Sequence, residues 1–287
     1  MSVFDPFERA AAHAVSYAPL SWVMGRASDL RLPRPVMGGL VRAYTAAFGI
    51  PHEELDREVD GYGCMNEFFS RGMATSRAIP GSDAGQLVSP VDGVLQDMGH
   101  LSGKDVFVVK KQEIDIGGLC ADDYGEVAER FRNGTYALIY LSPRHYHRVH
   151  VPIDAELQGY RYIPGRLFPV NELGMKHVPR MFLRNERVVF FFETAHGSFY
   201  LVMVGASFVG RMTLAHDDFV TNESLRKVPF DKTHEEPIHV AAGELLGSFN
   251  LGSSVVMIAE SKAVLQGLAP RSEVTVGQAM GRFQDQG

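Results

Sequence analysis

The chain has 287 residues, 45% of them apolar and 22% charged, a composition that suits one large globular domain or two ordinary ones. That excludes a disordered chain, a collagen-like repeat and a disulfide-stapled mini-protein. A formal charge of −6 argues against a nucleic-acid partner, and two distant cysteines, Cys64 and Cys120, make neither a disulfide framework nor a zinc site, which fits a reducing compartment.

In chain order, residues 1–12 carry Asp5, Glu8 and Arg9 and lack the apolar core of a secretory signal. Asp5-Pro6-Phe7-Glu8 has the form of a helix start, with Asp as N-cap and Pro at the first helical position. Three apolar stripes follow at helical spacing: Phe7, Ala10, Ala11 and Ala14; then Leu20, Val23, Met24 and Ala27; then Val36, Leu40, Tyr44 and Phe48, closed by Gly49. This segment is a net +2 inside an acidic protein. Two compatible expectations arise for residues 1–50: helices packed on their own domain, and amphipathic helices on an anionic membrane surface.

From about residue 85 the pattern turns to strands. Short branched or aromatic runs are predicted at 94–95, 107–109, 136–141, 148–151, 188–192, 199–204, 208–214, 245–249 and 255–259, with Gly, Pro and Asn between many of them. Asn133-Gly134 marks a tight turn. The most apolar stretch, 188–210, contains Glu193 and His196 and reads as two core strands, not as a membrane span of about 20 residues. Helices are expected near 119–132 and 172–177. The fold class is α+β: a helical N-terminal segment on a β-rich catalytic body spanning 51–287.

Three clusters carry chemistry. In Ser89-Pro90-Val91-Asp92-Gly93 the Asp reads as a turn residue or as a carboxylate orienting a histidine. The segment 142–152 holds His145, His147 and His150 with Arg144 and Arg148. A helical zinc-protease motif would need Glu where Arg148 stands. On a regular strand His147 and His150 point to opposite faces, so serving one site requires the strand to end or bulge there, as Pro152 permits. The third cluster, 247–256, holds Gly252-Ser253-Ser254; alone it is a turn or strand edge, and the Gly-x-Ser-x-Gly nucleophile elbow is absent. No P-loop or dinucleotide fingerprint occurs.

Taken together, the blocks resemble the phosphatidylserine decarboxylase proenzymes, the bacterial type most closely. In the family's order they are 66–71, 89–93, 133–135, 140–144 with 146–150, 164–168, 185–187, 204–206 with 209–210, and 249–253. The Tyr146-His147-Arg148-Val149-His150 block with a late Leu251-Gly252-Ser253 and Asp92 upstream is the specific part. Departures are Ser254 for the family's usual Thr, His145 where many relatives carry an acid, a loose match over 110–118, and Pro169 beside Phe168.

The resemblance implies that the chain makes its own cofactor. Ser253, with His150 as base and Asp92 orienting it, attacks the Gly252 carbonyl; the chain divides between 252 and 253, and Ser253 becomes a covalent pyruvoyl group heading a small subunit of 35 residues. His147 is the expected proton donor for decarboxylation of phosphatidylserine to phosphatidylethanolamine. No metal ligand set and no nucleic-acid partner is expected. The implied partner is a membrane surface, with peripheral attachment on the cytoplasmic face of the cell membrane; a homodimer is left open. Arg144, Arg148 and Arg166 are candidates for the headgroup, or solvated surface cations. The rival readings are a pyruvoyl decarboxylase of another amino-acid or lipid substrate, a serine hydrolase without self-cleavage, and a non-catalytic lipid-binding homologue.

Overall fold

In the computed structural model, which describes residues 16, 18–74, 85–103, 105–110, 112–207, 211–223, 227–250 and 252–284, two helices precede the β-rich body. They are Ala18–Ser28 and Arg34–Phe48. The second opens on a Pro-rich start and stops at Gly49, whose φ of 65° is the left-handed cap expected of glycine. The predicted helix start at Asp5 lies outside the described residues. With the short helix Met65–Phe69 these elements build a small core of their own around Met37, Val41, Ile50, Leu55, Tyr62, Phe68 and Phe69.

Among the described residues the body has sixteen strands: β1 (Gln86–Val88), β2 (Gly93–His100), β3 (Val106–Val109), β4 (Gln112–Asp115), β5 (Thr135–Leu141), β6 (Arg148–His150), β7 (Ala155–Ile163), β8 (Arg187–Thr194), β9 (Gly197–Val204), β10 (Met212–Leu214), β11 (Phe230–Val240), β12 (Leu245–Phe249), β13 (Ser253–Ala259), β14 (Ala263–Leu265), β15 (Glu273–Val274) and β16 (Ala279–Phe283). An antiparallel eight-stranded sheet runs β11-β7-β8-β9-β13-β5-β2-β15; beside it lie the sheets β1-β16-β14 and β10-β12-β6 and the hairpin β3-β4. The α+β expectation holds.

β13 sits inside the large sheet, between β5 and β9, and all seven of its residues are buried. That is why its sequence is a continuous apolar run after two serines and does not alternate. One row across the sheet joins Val94, Tyr140, Ser254, Val204 and Arg187. Ser253 therefore stands at the end of the sheet, opposite Leu141.

Elsewhere the predicted elements are adjusted. The expected helix over 119–132 is two pieces, Ile116–Cys120 and Glu126–Phe131, because Ala121 and Gly125 take left-handed conformations between them. The Glu172–His177 helix forms as expected, capped by the Asn171 side chain. Of the run 208–214 only Met212–Leu214 is strand, residues 208–210 being outside the description. β7 and β11 were not foreseen. β11 is charged, contains Pro237 and is largely exposed, as an edge strand is.

Candidate active site

The end of the central strands gathers the three sequence clusters. Residues 89–92 form the turn into β2, and Ser89 Oγ donates to the Val91 carbonyl at 2.7 Å. The Pro90 carbonyl accepts from His150 N–H at 2.8 Å, which clips this turn to the end of β6. The His147 carbonyl accepts from Phe249 N–H at 2.9 Å, which clips the histidine segment to the last residue of β12. β5 carries Leu141 opposite Ser253 and leads directly into residues 142–147.

The strand that carries the histidines is short. β6 ends at His150, His147 lies just before it, and the partner strand β12 slips between Leu245 and Gly247. His147 thus lies outside the regular strand, so period-two alternation does not fix the side of its ring relative to that of His150.

Each side chain meets a different environment. Asp92 is buried, and its Oδ1 accepts from Val276 N–H at 2.8 Å. His150 Nδ1 lies 2.7 Å from the Gly243 carbonyl; a carbonyl only accepts, so Nδ1 carries the hydrogen and the tautomer follows from that bond. Its Nε2 lies 3.0 Å from the Tyr146 hydroxyl. His147 is fully buried, and neither ring nitrogen has a hydrogen-bond partner among the described residues. Burial, then the Arg71 guanidinium, then His145 lower its pKa to about 3, so the ring is neutral near pH 7. The hydroxyls of Ser253 and Ser254 are likewise buried and unpartnered among the described residues. A cluster of orphaned buried polar atoms is uncommon in a finished core and is expected where a reaction or a ligand completes them. Gly252 has φ of +20°, and a Cβ there would meet only the Leu141 carbonyl oxygen at an unstrained 3.9 Å, so the demand for glycine is conformational, not steric.

The surroundings add residues to which the sequence assigned no role. Arg71 is buried, stacks on Phe68 and donates at 3.3–3.4 Å to the carbonyls of Phe68, Arg144 and His145. Burial pulls its pKa below the usual arginine value. His145 Nδ1 accepts from Ser142 N–H at 2.9 Å, and its Nε2 donates to Glu273 at 3.0 Å. Arg144 also pairs with Glu273, and Arg148 Nε donates to the Ser70 carbonyl at 2.9 Å, so two of the three candidate headgroup arginines have protein partners. Among the described residues no group of three or more His, Cys, Asp or Glu is placed to hold a metal ion. Tyr146 was legible as part of a motif, but its contact with His150 depends on ring orientation; the Gly243 carbonyl is a backbone atom and leaves no signal in a sequence.

The stretch that contains these residues is similar to known proteins. Residues 65–282 match the sequence model of the phosphatidylserine decarboxylase family. A phosphatidylserine decarboxylase proenzyme from Methylobacillus flagellatus is 38% identical over 231 residues, covering 79% of this chain and 81% of the relative. One from Delftia acidovorans is 36% identical, covering 86% of each chain. One from Azotobacter vinelandii is 32% identical over 275 residues, covering 94% of this chain and 96% of the relative.

Proposed function

The chain belongs to the phosphatidylserine decarboxylase family, and we propose that it cuts itself between Gly252 and Ser253 and then converts phosphatidylserine to phosphatidylethanolamine. The observation that carries this reading is the Ser253 hydroxyl: buried, unpartnered among the described residues, first in the central strand and directly after a left-handed Gly252.

Serinolysis needs a nucleophile, a base and a deformable carbonyl. Ser253 Oγ attacks the Gly252 carbonyl carbon while His150 takes the hydroxyl proton, the Gly243 carbonyl holding Nδ1–H so that Nε2 is the basic atom. The acyl group moves from nitrogen to oxygen and the amide becomes an ester. Loss of the Cα proton of residue 253 expels the Gly252 carboxylate, leaving dehydroalanine. Its tautomer takes up one water and releases ammonia, leaving a pyruvoyl group on residue 253. Asp92, buried at the turn clipped to His150, balances the charge of the protonated base.

The residues present fit such a group, since a small buried end at 253 lies in the strand-end cluster that includes the unpartnered ring of His147. The pyruvoyl group supplies a carbonyl that condenses with the substrate amine and accepts the electrons released with carbon dioxide. His147, neutral at rest, would take the proton that the substrate amine gives up as it reacts and return it to the substrate carbon. The neutral ring, free of protein partners among the described residues, is available to a substrate in a way that His150 is not. Attachment is peripheral, to the cytoplasmic face of the membrane: among the described residues no helix is long and apolar enough to cross a bilayer, and the N-terminal helices carry an outward apolar face.

Denaturing electrophoresis with intact-mass analysis tests this. The purified chain should give two pieces, the smaller beginning at residue 253, lacking its amine and reactive toward hydrazines. Ser253→Ala and His150→Ala should stay whole. His147→Ala should cut normally yet decarboxylate about 100-fold or more slowly. A single intact chain with full decarboxylase activity overturns the proposal, and loss of cutting in His147→Ala overturns the division between the histidines.

A further inference from the structure

We propose that Tyr146 keeps the base of the uncut chain closed, so that its hydroxyl must leave His150 before cleavage begins. The inference rests on the reading of His150 as that base. It stands on two contacts of one ring. His150 Nδ1 is committed to the Gly243 carbonyl at 2.7 Å. A neutral imidazole then has a single lone pair, on Nε2, and the Tyr146 hydroxyl lies 3.0 Å from it. The tyrosine is held there. It is buried to 6% exposure, and its ring lies nearly parallel to the imidazole, 21° between planes and 5.7 Å between centroids.

Ser253 supplies the complementary observation. Its hydroxyl is buried with no hydrogen-bond partner among the described residues, so its proton is not yet directed at any acceptor. The same contacts exclude a formed relay in which Ser253 donates to Tyr146 and Tyr146 to His150, because the first of those bonds is absent. A base whose lone pair is occupied and a nucleophile without an acceptor describe a precursor at rest. Maturation then requires the tyrosine to rotate away and the serine to take its place at Nε2. Tyr146 is thus a positioning residue acting through His150.

Tyr146→Phe keeps the stacked ring and removes only the hydroxyl, so it separates the two roles. The full chain and its variants are synthesised in a cell-free system, and appearance of the small piece is timed on denaturing gels. The variant should cut faster than the parent by about two- to tenfold, the worth of one neutral hydrogen bond.

The gain should be full at alkaline pH and vanish in acid, where protonation occupies Nε2 in both proteins. Asp92, His145 and His147 on the neighbouring segments are the same in both, so the difference between the two profiles reads Tyr146 alone. A monofluorinated tyrosine at 146, a stronger donor, should cut more slowly than the parent and serves also if the Phe variant folds poorly. Parental or slower cutting by a Tyr146→Phe protein with the parent's melting temperature, or faster cutting with fluorotyrosine, overturns the gate. Cutting by His150→Ala instead overturns the base reading on which it rests.

Discussion

His147 and His150 stand three positions apart and meet opposite surroundings. His150 is bonded at both nitrogens, to a backbone carbonyl and a tyrosine. His147 is bonded at neither among the described residues, and burial, Arg71 and His145 together hold its pKa at about 3. That environment has a consequence for stability. In the unfolded chain a histidine titrates near 6.5. Between about pH 6.5 and pH 3 the unfolded chain therefore carries a proton at this position that the folded chain refuses, and acid favours unfolding. His147's contribution is complete above pH 6.5 and is lost progressively as pH falls toward 3. Urea unfolding of the uncut Ser253→Ala chain should show a midpoint that drops through this window. Adding His147→Leu should remove up to about one proton, ~1.4 kcal/mol per pH unit, from the slope. Equal slopes in the two proteins would mean that His147 is not held neutral. At this scale the candidate residues were largely readable, because Asp92, His147, His150 and Ser253 are chemically distinctive side chains in compact blocks. Arg71 was not. It lies in the matching block at 66–71, but nothing in that block says that its guanidinium crosses to the carbonyls of Arg144 and His145.

At the scale of elements, the proposed cut falls at the start of a fully buried interior strand of the large sheet. β13 pairs along its length with β5 and for six residues with β9. Val255, Val256, Met257 and Ile258 are within 1% of complete burial, each worth about 1.5–3 kcal/mol relative to exposure. The rest of the C-terminal piece is woven in as well. β16 pairs with β1, β15 pairs with β2, Val276 N–H is bonded to Asp92, and Glu273 joins Arg144 and His145. The two pieces should therefore co-elute as one body on gel filtration in native buffer and separate only in denaturant. Elution of the small piece alone without denaturant would show that the cut releases it. The same element explains what a sequence can and cannot give. Buried strands such as β8, β9 and β13 are uninterrupted apolar runs and were legible. β7 was not, because Gly159 breaks its alternation to let the β11 backbone approach: a Cβ there would lie 2.1 Å from the Lys232 carbonyl oxygen. β11 was not, because residues between Thr233 and Ile238 bulge out of register and the strand faces water.

At the scale of the molecule, the helical segment joins an exposed apolar surface to the histidine segment. The helix Arg34–Phe48 buries Met37, Val41 and Thr45 and turns Val36, Leu40 and Phe48 outward, at 51%, 44% and 42% exposure. Of its predicted stripe, Val36, Leu40 and Phe48 face outward, whereas Tyr44 turns in against Phe68 and Phe69. In a helix apolar nearly all round, periodicity does not say which stripe faces the core. Val23, Met24 and Leu30 extend the exposed apolar set along the chain, with Arg26 and Arg34 also exposed. On its inner side the segment holds the strand-end cluster: Tyr44 donates to the Pro143 carbonyl at 3.1 Å, Arg71 to those of Arg144 and His145, and Ser70 accepts from Arg148. Membrane binding cannot be tested cleanly by deleting residues 1–50, since Met37, Val41 and Ile50 share one small core with Leu55, Tyr62, Phe68 and Phe69, against which Arg71 is stacked. Substituting only the outward side chains avoids that. Val36→Glu with Leu40→Glu removes apolar surface and adds two negative charges where an anionic bilayer would lie, at positions that make no core contact. Sedimentation with vesicles containing phosphatidylserine or phosphatidylglycerol should show binding at least about tenfold weaker, from lost burial and charge together. The proposed cut at residue 253 should proceed at the parent's rate, since the residues assigned to it lie away from the substituted side chains. Binding equal to the parent's would mean that another surface meets the membrane.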